Sequence, residues 1–89
     1  MLFDWDPTKH ARNLTERGFG FDVAALIFEG PTIEHPDDRH DYREPRIRTI
    51  GAVDGLILHV VYTDRNDIRR IISARPATRK ERRQWHNHP

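Results

Sequence analysis

The chain has 89 residues, with 15 Lys and Arg against 14 Asp and Glu for a net charge of +1. A length of this order makes one domain, which buries roughly 60 to 65 per cent of the surface exposed by the unfolded chain, so the core is small and a partner chain is a natural source of further stability. The absence of cysteine excludes disulfides, thiolate catalysis and Cys-ligated zinc and suits a reducing compartment; no apolar stretch nears the roughly 20 residues of a bilayer span.

The opening Met-Leu-Phe-Asp-Trp-Asp-Pro has two acids in its first six residues and no basic segment leading into an apolar one, so a signal peptide is not expected. A cytoplasmic protein with no membrane association is the expectation. Phe3 and Trp5 flank Asp4 as in a short strand, and Asp6-Pro7 supplies an N-cap and a first helical residue. The helix predicted there runs through Lys9 and Asn13 to Arg17, and Gly18 closes it in the left-handed region that a residue with a Cβ enters only at a cost. Phe21, Ala24, Ala25 and Phe28 recur at helical spacing, which predicts a second helix ended by Gly30-Pro31 and paired with the first as a hairpin.

The segment from Thr32 to Pro45 mixes acids with His35, Arg39, His40 and Arg43 and reads as a polar loop with one short strand at Thr32 to Glu34. From Arg46 the pattern is β. Strands are predicted at Arg46 to Ala52, Leu56 to Thr63 and Ile68 to Arg75, joined by turns at Val53-Asp54-Gly55 and Asp64-Arg65-Asn66-Asp67, as an antiparallel meander. Pro76 lacks the amide hydrogen of a central strand and is expected to stop the third. Thr78-Arg79-Lys80-Glu81 fits a capping box, opening a last helix over Arg79 to His86. The order predicts an α+β fold with helices packed on one face of the sheet.

Charge is unevenly placed. Arg65, Arg69, Arg70, Arg75, Arg79, Lys80, Arg82 and Arg83 face only Asp67 and Glu81 within one stretch, a local excess of the kind that binds phosphate backbones.

Three blocks resemble the BrnT toxins, the DUF497 family of bacterial type II toxin-antitoxin modules. They are Phe3-Asp4-Trp5-Asp6 with Lys9, Asn13, Gly18, Phe21 and Ala24; Asp38 to Arg46 with Arg39, Tyr42, Glu44 and Arg46; and Val61-Tyr62-Thr63 with Arg70 to Arg75 and Ala77-Thr78 to Glu81-Arg82. The sequence departs from the family at Glu16-Arg17, where a Lys-His pair is usual, at Arg43, often a glycine, and at Trp85, more usually tyrosine. The resemblance implies a RelE-like fold and a ribonuclease that cleaves RNA and inhibits translation. It also implies a BrnA-like ribbon-helix-helix antitoxin through which operator DNA is reached, and a homodimer or a heterotetramer with that antitoxin as the assembly.

Metal-independent RNA cleavage needs a base for the 2′-hydroxyl, an acid for the leaving oxygen and fixed positive charge at the phosphate. Arg75, closing the third strand, and Arg79, in the same corner at the start of the last helix, are the first candidates, since a guanidinium binds two phosphate oxygens and stays charged. Arg65 on its turn is a further catalytic candidate, and His40 is the preferred proton donor because an imidazole titrates near neutrality. Arg69, Lys80, Arg82, Arg83 and Lys9 are candidates for RNA binding. By strand parity Arg69, not Arg70, shares a face with Arg75 if no bulge intervenes. His59 reads as packed on the sheet, Glu81 as a capping residue and Trp5 as core, with base stacking a minor reading for Trp85 and Tyr62. The histidine pairs 35/40 and 86/88 lack a third ligand at a metal-site spacing, so neither metal nor cofactor is expected. The alternative from another class is a non-catalytic module that binds nucleic acid or an acidic partner, including an inactive toxin acting as co-repressor.

Overall fold

A computed structural model describes residues 1–88. Its elements are β1 (Leu2–Trp5), α1 (Pro7–Arg17), α2 (Phe21–Ala24) continuing into a 3-10 turn (Ala25–Glu29), β2 (Ile33–Pro36), β3 (Ile47–Val53), β4 (Leu56–Arg65), β5 (Ile68–Pro76) and α3 (Arg79–Asn87). The strands form one sheet in the order β1-β5-β4-β3-β2. The predicted meander is its centre, antiparallel throughout. Two additions lay beyond sequence reading: β1 pairs parallel with β5, and β2 extends to Pro36 and pairs antiparallel with β3.

Local chemistry explains the helices. Asp6 Oδ1 accepts hydrogen bonds from the Thr8 and Lys9 amides, and Gly18 caps α1 with φ of 81°, as its lack of a Cβ allows. The second helix is not uniformly α. After Ala24 it tightens to three residues per turn, which eclipses positions three apart, and so Ile27 is buried directly in line with Ala24. His10 fastens the helix pair: its ring stacks on Trp5 and its Nδ1 accepts from the Phe21 amide at 3.0 Å.

The helices α1 and α2 and the 3-10 turn cover the first face of the sheet. Phe21, Ala24, Ala25 and Ile27 meet Leu58, Val60, Ile71 and Ala74 there, with Phe3, Trp5 and Phe28 at the margin. Gly51 permits this approach, since a Cβ at that position would lie 2.7 Å from the Ile27 Cβ.

Turn chemistry fixes the meander. Asp54 and Gly55 have φ of 49° and 82°, and Asn66 and Asp67 have 50° and 66°, the mirror-image turn that matches strand twist. The second turn is thus shorter than predicted, and Arg65 is the last residue of β4, paired with Ile68, rather than a turn residue. Pro76 is likewise inside β5 as its final residue, opposite Leu58. It is tolerated because β1 borders only Ile68 to Ile71, leaving the ladder on that side empty where an amide is missing.

One irregularity reverses a prediction. Val61 pairs with Ser73 but Tyr62 pairs with Ile71, so Ile72 is an unpaired bulge residue and side-chain parity flips across it. Arg69 lies opposite Asp64 and Arg70 opposite Thr63, whereas Arg75 lies opposite His59. Arg70, and not Arg69, therefore shares the second face with Arg75.

Candidate active site between the last helix and the sheet

The second face carries a row that crosses four strands: Ile33 on β2, Ile50 on β3, His59 on β4 and Arg75 on β5. Sequence placed these residues far apart, and register brings them side by side. Over this row lies α3, started by the predicted capping box: Thr78 Oγ1 accepts from the Glu81 amide at 3.2 Å and Glu81 Oε1 accepts from the Thr78 amide at 2.8 Å.

Glu81 is more than a cap. Its two oxygens also accept a fork of hydrogen bonds from Arg75, Nη1 at 2.7 Å and Nη2 at 2.9 Å, and Oε2 lies 3.8 Å from His59 Nε2. The capping box thus aims one carboxylate at an arginine and an imidazole together. Arg75 beside it, and then the Thr78 amide, hold the Glu81 carboxyl at about 2 against the opposing effect of burial, so it stays ionised and is no proton donor near neutrality. His59 is pushed below its ordinary value, first by burial and then by Arg75, and these outweigh the attraction of Glu81. The imidazole is consequently neutral at pH 7 and able to accept a proton.

A cleft of about 300 Å³ opens here, lined by His35, Arg48, Ile50, His59, Thr78, Lys80, Glu81 and Gln84. Arg48 lies opposite His35 in the β2 to β3 register, and its buried Nε has no hydrogen-bond partner among the described residues. Lys80 adds a second cation to the lining, and Arg75 adjoins it through Glu81. A larger apolar groove of about 650 Å³ lies on the first face along Phe3, Trp5, Leu26 and Phe28. Its lining holds no histidine, so the smaller cleft is the better site for proton transfer.

The basic block disperses in three dimensions. Arg65 is ion-paired with Glu44. Arg69 pairs with Asp64 at 2.9 Å and lies 3.9 Å above the Tyr62 ring and 4.7 Å from that of Phe28 on the first face. Arg70 pairs with Asp4 across the β1 to β5 ladder at 3.3 Å. Arg79, Arg82 and Arg83 are exposed on α3 and outside the cleft lining, with Arg82 donating to the Ala77 carbonyl. Lys9 lines a separate shallow depression on α1 with Arg12 and Ser73. His40 lies in the loop 37–46, edge-on to Tyr42, and does not line the cleft. Of the four catalytic candidates only Arg75 adjoins His59, together with Lys80 from the RNA-binding candidates, and Arg79, His40 and Arg65 lie elsewhere.

Tyr62, whose hydroxyl donates to Glu34 at 2.8 Å, is buried and packs edge-on to Phe28, so it is part of the core. Arg48, His35 and Gln84 escaped sequence reasoning because only strand register and the path of α3 bring them to one place. One signal was available: His59 is the single polar side chain in the run from Leu56 to Val61. Elsewhere, Arg43 has φ of 59°, left-handed backbone that a glycine would adopt at no steric cost.

The topology of a first strand, a helical pair, an antiparallel sheet and a closing helix on the opposite face is that of the RelE-like fold. A family model described as "Ribonuclease toxin, BrnT, of type II toxin-antitoxin system" matches residues 5–81. No curated protein matches the chain significantly.

Proposed function

The chain belongs to the BrnT family of ribonuclease toxins of type II toxin-antitoxin systems, and from that premise we propose that it is a metal-independent endoribonuclease acting in the cleft under α3. The observation that carries this reading is the joining of a neutral, buried His59 to the Arg75 and Glu81 ion pair, within a cleft that also contains Arg48 and Lys80. In the proposed step the 2′-oxygen attacks the adjacent phosphorus while His59 takes its proton. The bond from phosphorus to the 5′-oxygen breaks, and the leaving oxygen takes a proton from the Lys80 ammonium. Arg48 and Lys80, with Arg75 behind Glu81, offset the negative charge that builds on the phosphoryl oxygens, an effect strengthened by partial exclusion of water. Glu81, ionised throughout the working pH range, keeps Arg75 and the imidazole in place.

The exposed cations Arg79, Arg82 and Arg83 extend the positive surface along α3 and suit the backbone of a longer RNA, whose binding is then strongly salt-dependent. A BrnA-like ribbon-helix-helix antitoxin is the expected neutralising partner, and the fold acts as a single toxin domain in the cytoplasm. One observation favours a second reading, an inactive toxin that serves as co-repressor: both Nη atoms of Arg75 are already held by Glu81.

Incubating the purified protein with RNA in the presence of a chelator separates the two. Cleavage to 2′,3′-cyclic phosphate and 5′-hydroxyl ends is expected, and His59→Ala and Arg75→Ala should each slow it by about 10²-fold or more. The rate should climb as pH rises through the lowered pKa of His59 and level off by neutrality. Intact RNA with the folded wild-type protein overturns the proposal, as does full activity in both variants.

A further inference from the structure

Beyond the reacting phosphate, the cleft has a part that the proposed chemistry does not use. Gln84, one helical turn from Glu81, faces His35 of β2 with 3.1 Å between Gln84 Nε2 and His35 Nε2. Both side chains are exposed, and the buried Ile50 lies in the floor of the same cleft. Resting on the ribonuclease reading, we infer that this outer part of the cleft is a subsite for one nucleobase flanking the scissile phosphate, with Gln84 and His35 setting the base preference.

Chemistry and dimensions agree. An amide and an imidazole present donors and acceptors without a fixed charge, which suits a base edge, whereas phosphate contacts fall to cations. The only described hydrogen bond that occupies the two groups is the one between them, and a base placed there exchanges that mutual contact for its own edge. Ile50 supplies an apolar surface for the ring. A volume of about 300 Å³ is at the lower end of small-molecule sites, enough for one unstacked nucleotide and too small for a duplex. Bases of single-stranded RNA are the ones that proteins read along their edges in this way.

The sheet sets the spacing. His35 lies on the strand two places from that of His59, a lateral separation of roughly 10 Å, and Arg48 stands on the strand between them, in register with His35. A base at His35 and Gln84 and its phosphate at His59 therefore bracket one cation suited to the connecting backbone. Specificity thus comes from Gln84 and His35, side chains that the proposed chemistry at His59, Arg75, Lys80 and Glu81 does not use.

The test is cleavage of a random-sequence single-stranded RNA pool by the full chain, with the cut sites read by sequencing. Wild-type protein should show one enriched base at a single position next to the cut. Gln84→Ala and His35→Ala should each flatten that enrichment, with kcat/KM at preferred sites falling roughly tenfold, the range of one lost edge contact, and mostly through KM. Gln84→Glu, which keeps size and removes the donor, should change which base is enriched. Thermal unfolding of each variant reports that it folds. Cleavage by wild type with no base preference overturns the inference, as does an unchanged preference in all three variants, and either result leaves the ribonuclease reading standing. Intact RNA with the wild type overturns both.

Discussion

The two faces of the sheet are held by different forces. On the first, α1, α2 and the 3-10 turn meet β4 and β5 through Phe21, Ala24, Ile27, Leu58, Val60 and Ile71, all buried and apolar. On the second, α3 has no buried residue of its own and docks through Glu81 and Gln84 onto Arg75, His59 and His35. A small domain has apolar surface enough for one well-packed side. On the other side, beside the buried Ile33, Ile50 and Val61, α3 is held by directional polar contacts, and these are the groups that chemistry requires. Stability is thereby concentrated on one face and reactivity on the other.

The largest effect should come from breaking the first face. Phe21→Ala removes a nearly fully buried ring and should cost about 3 to 5 kcal/mol in chemical denaturation, while the remaining folded fraction keeps wild-type cleavage per molecule. If activity falls further than the folded fraction does, the faces are not separable.

Acid should act on the second face. The folded-state pKa of His59 is depressed, so its contribution to stability is complete above the unfolded value near 6.5 and is lost as pH falls below it. Glu81 behaves alike in a lower window: its contribution is present above 4.5 and disappears as pH drops toward about 2. Glu81→Gln isolates the charge, because glutamine also completes a capping box. It should cost about 1 kcal/mol at pH 7, remove the acid sensitivity of the lower window as measured by unfolding midpoints across pH, and slow cleavage by loosening Arg75. An unchanged midpoint series would mean that Glu81 is only a cap.

The smallest effect belongs to neither face. Arg43→Gly relieves left-handed backbone in the loop 37–46 and should raise stability by up to about 1 kcal/mol, with cleavage unchanged. A loss of stability there would show that the Arg43 side chain holds the loop.

Local rules were sufficient for the elements. Asp6-Pro7, Gly18, Asp54-Gly55 and the Thr78 to Glu81 box act within four residues of themselves, so their consequences are written in the sequence and recur in the structure. Arg65 and Pro76 show the limit of that reading, since each is the last residue of a strand that runs one or two residues past its predicted end, where pairing with its neighbour decides the boundary. The candidate site was less legible. Arg75 and Lys80 were visible in the basic block, but their grouping with His59, Arg48 and Gln84 was not.

The amino-acid sequence by itself determined the order and kind of the elements, the apolar face of the helix pair and the family of the chain. Tertiary structure alone decided which charges meet. The bulge at Ile72 reverses parity along β5, sending Arg69 to the aromatic pair Phe28 and Tyr62 and leaving Arg75 opposite His59. Period and composition cannot carry that information, because a single unpaired residue moves every later side chain to the other face.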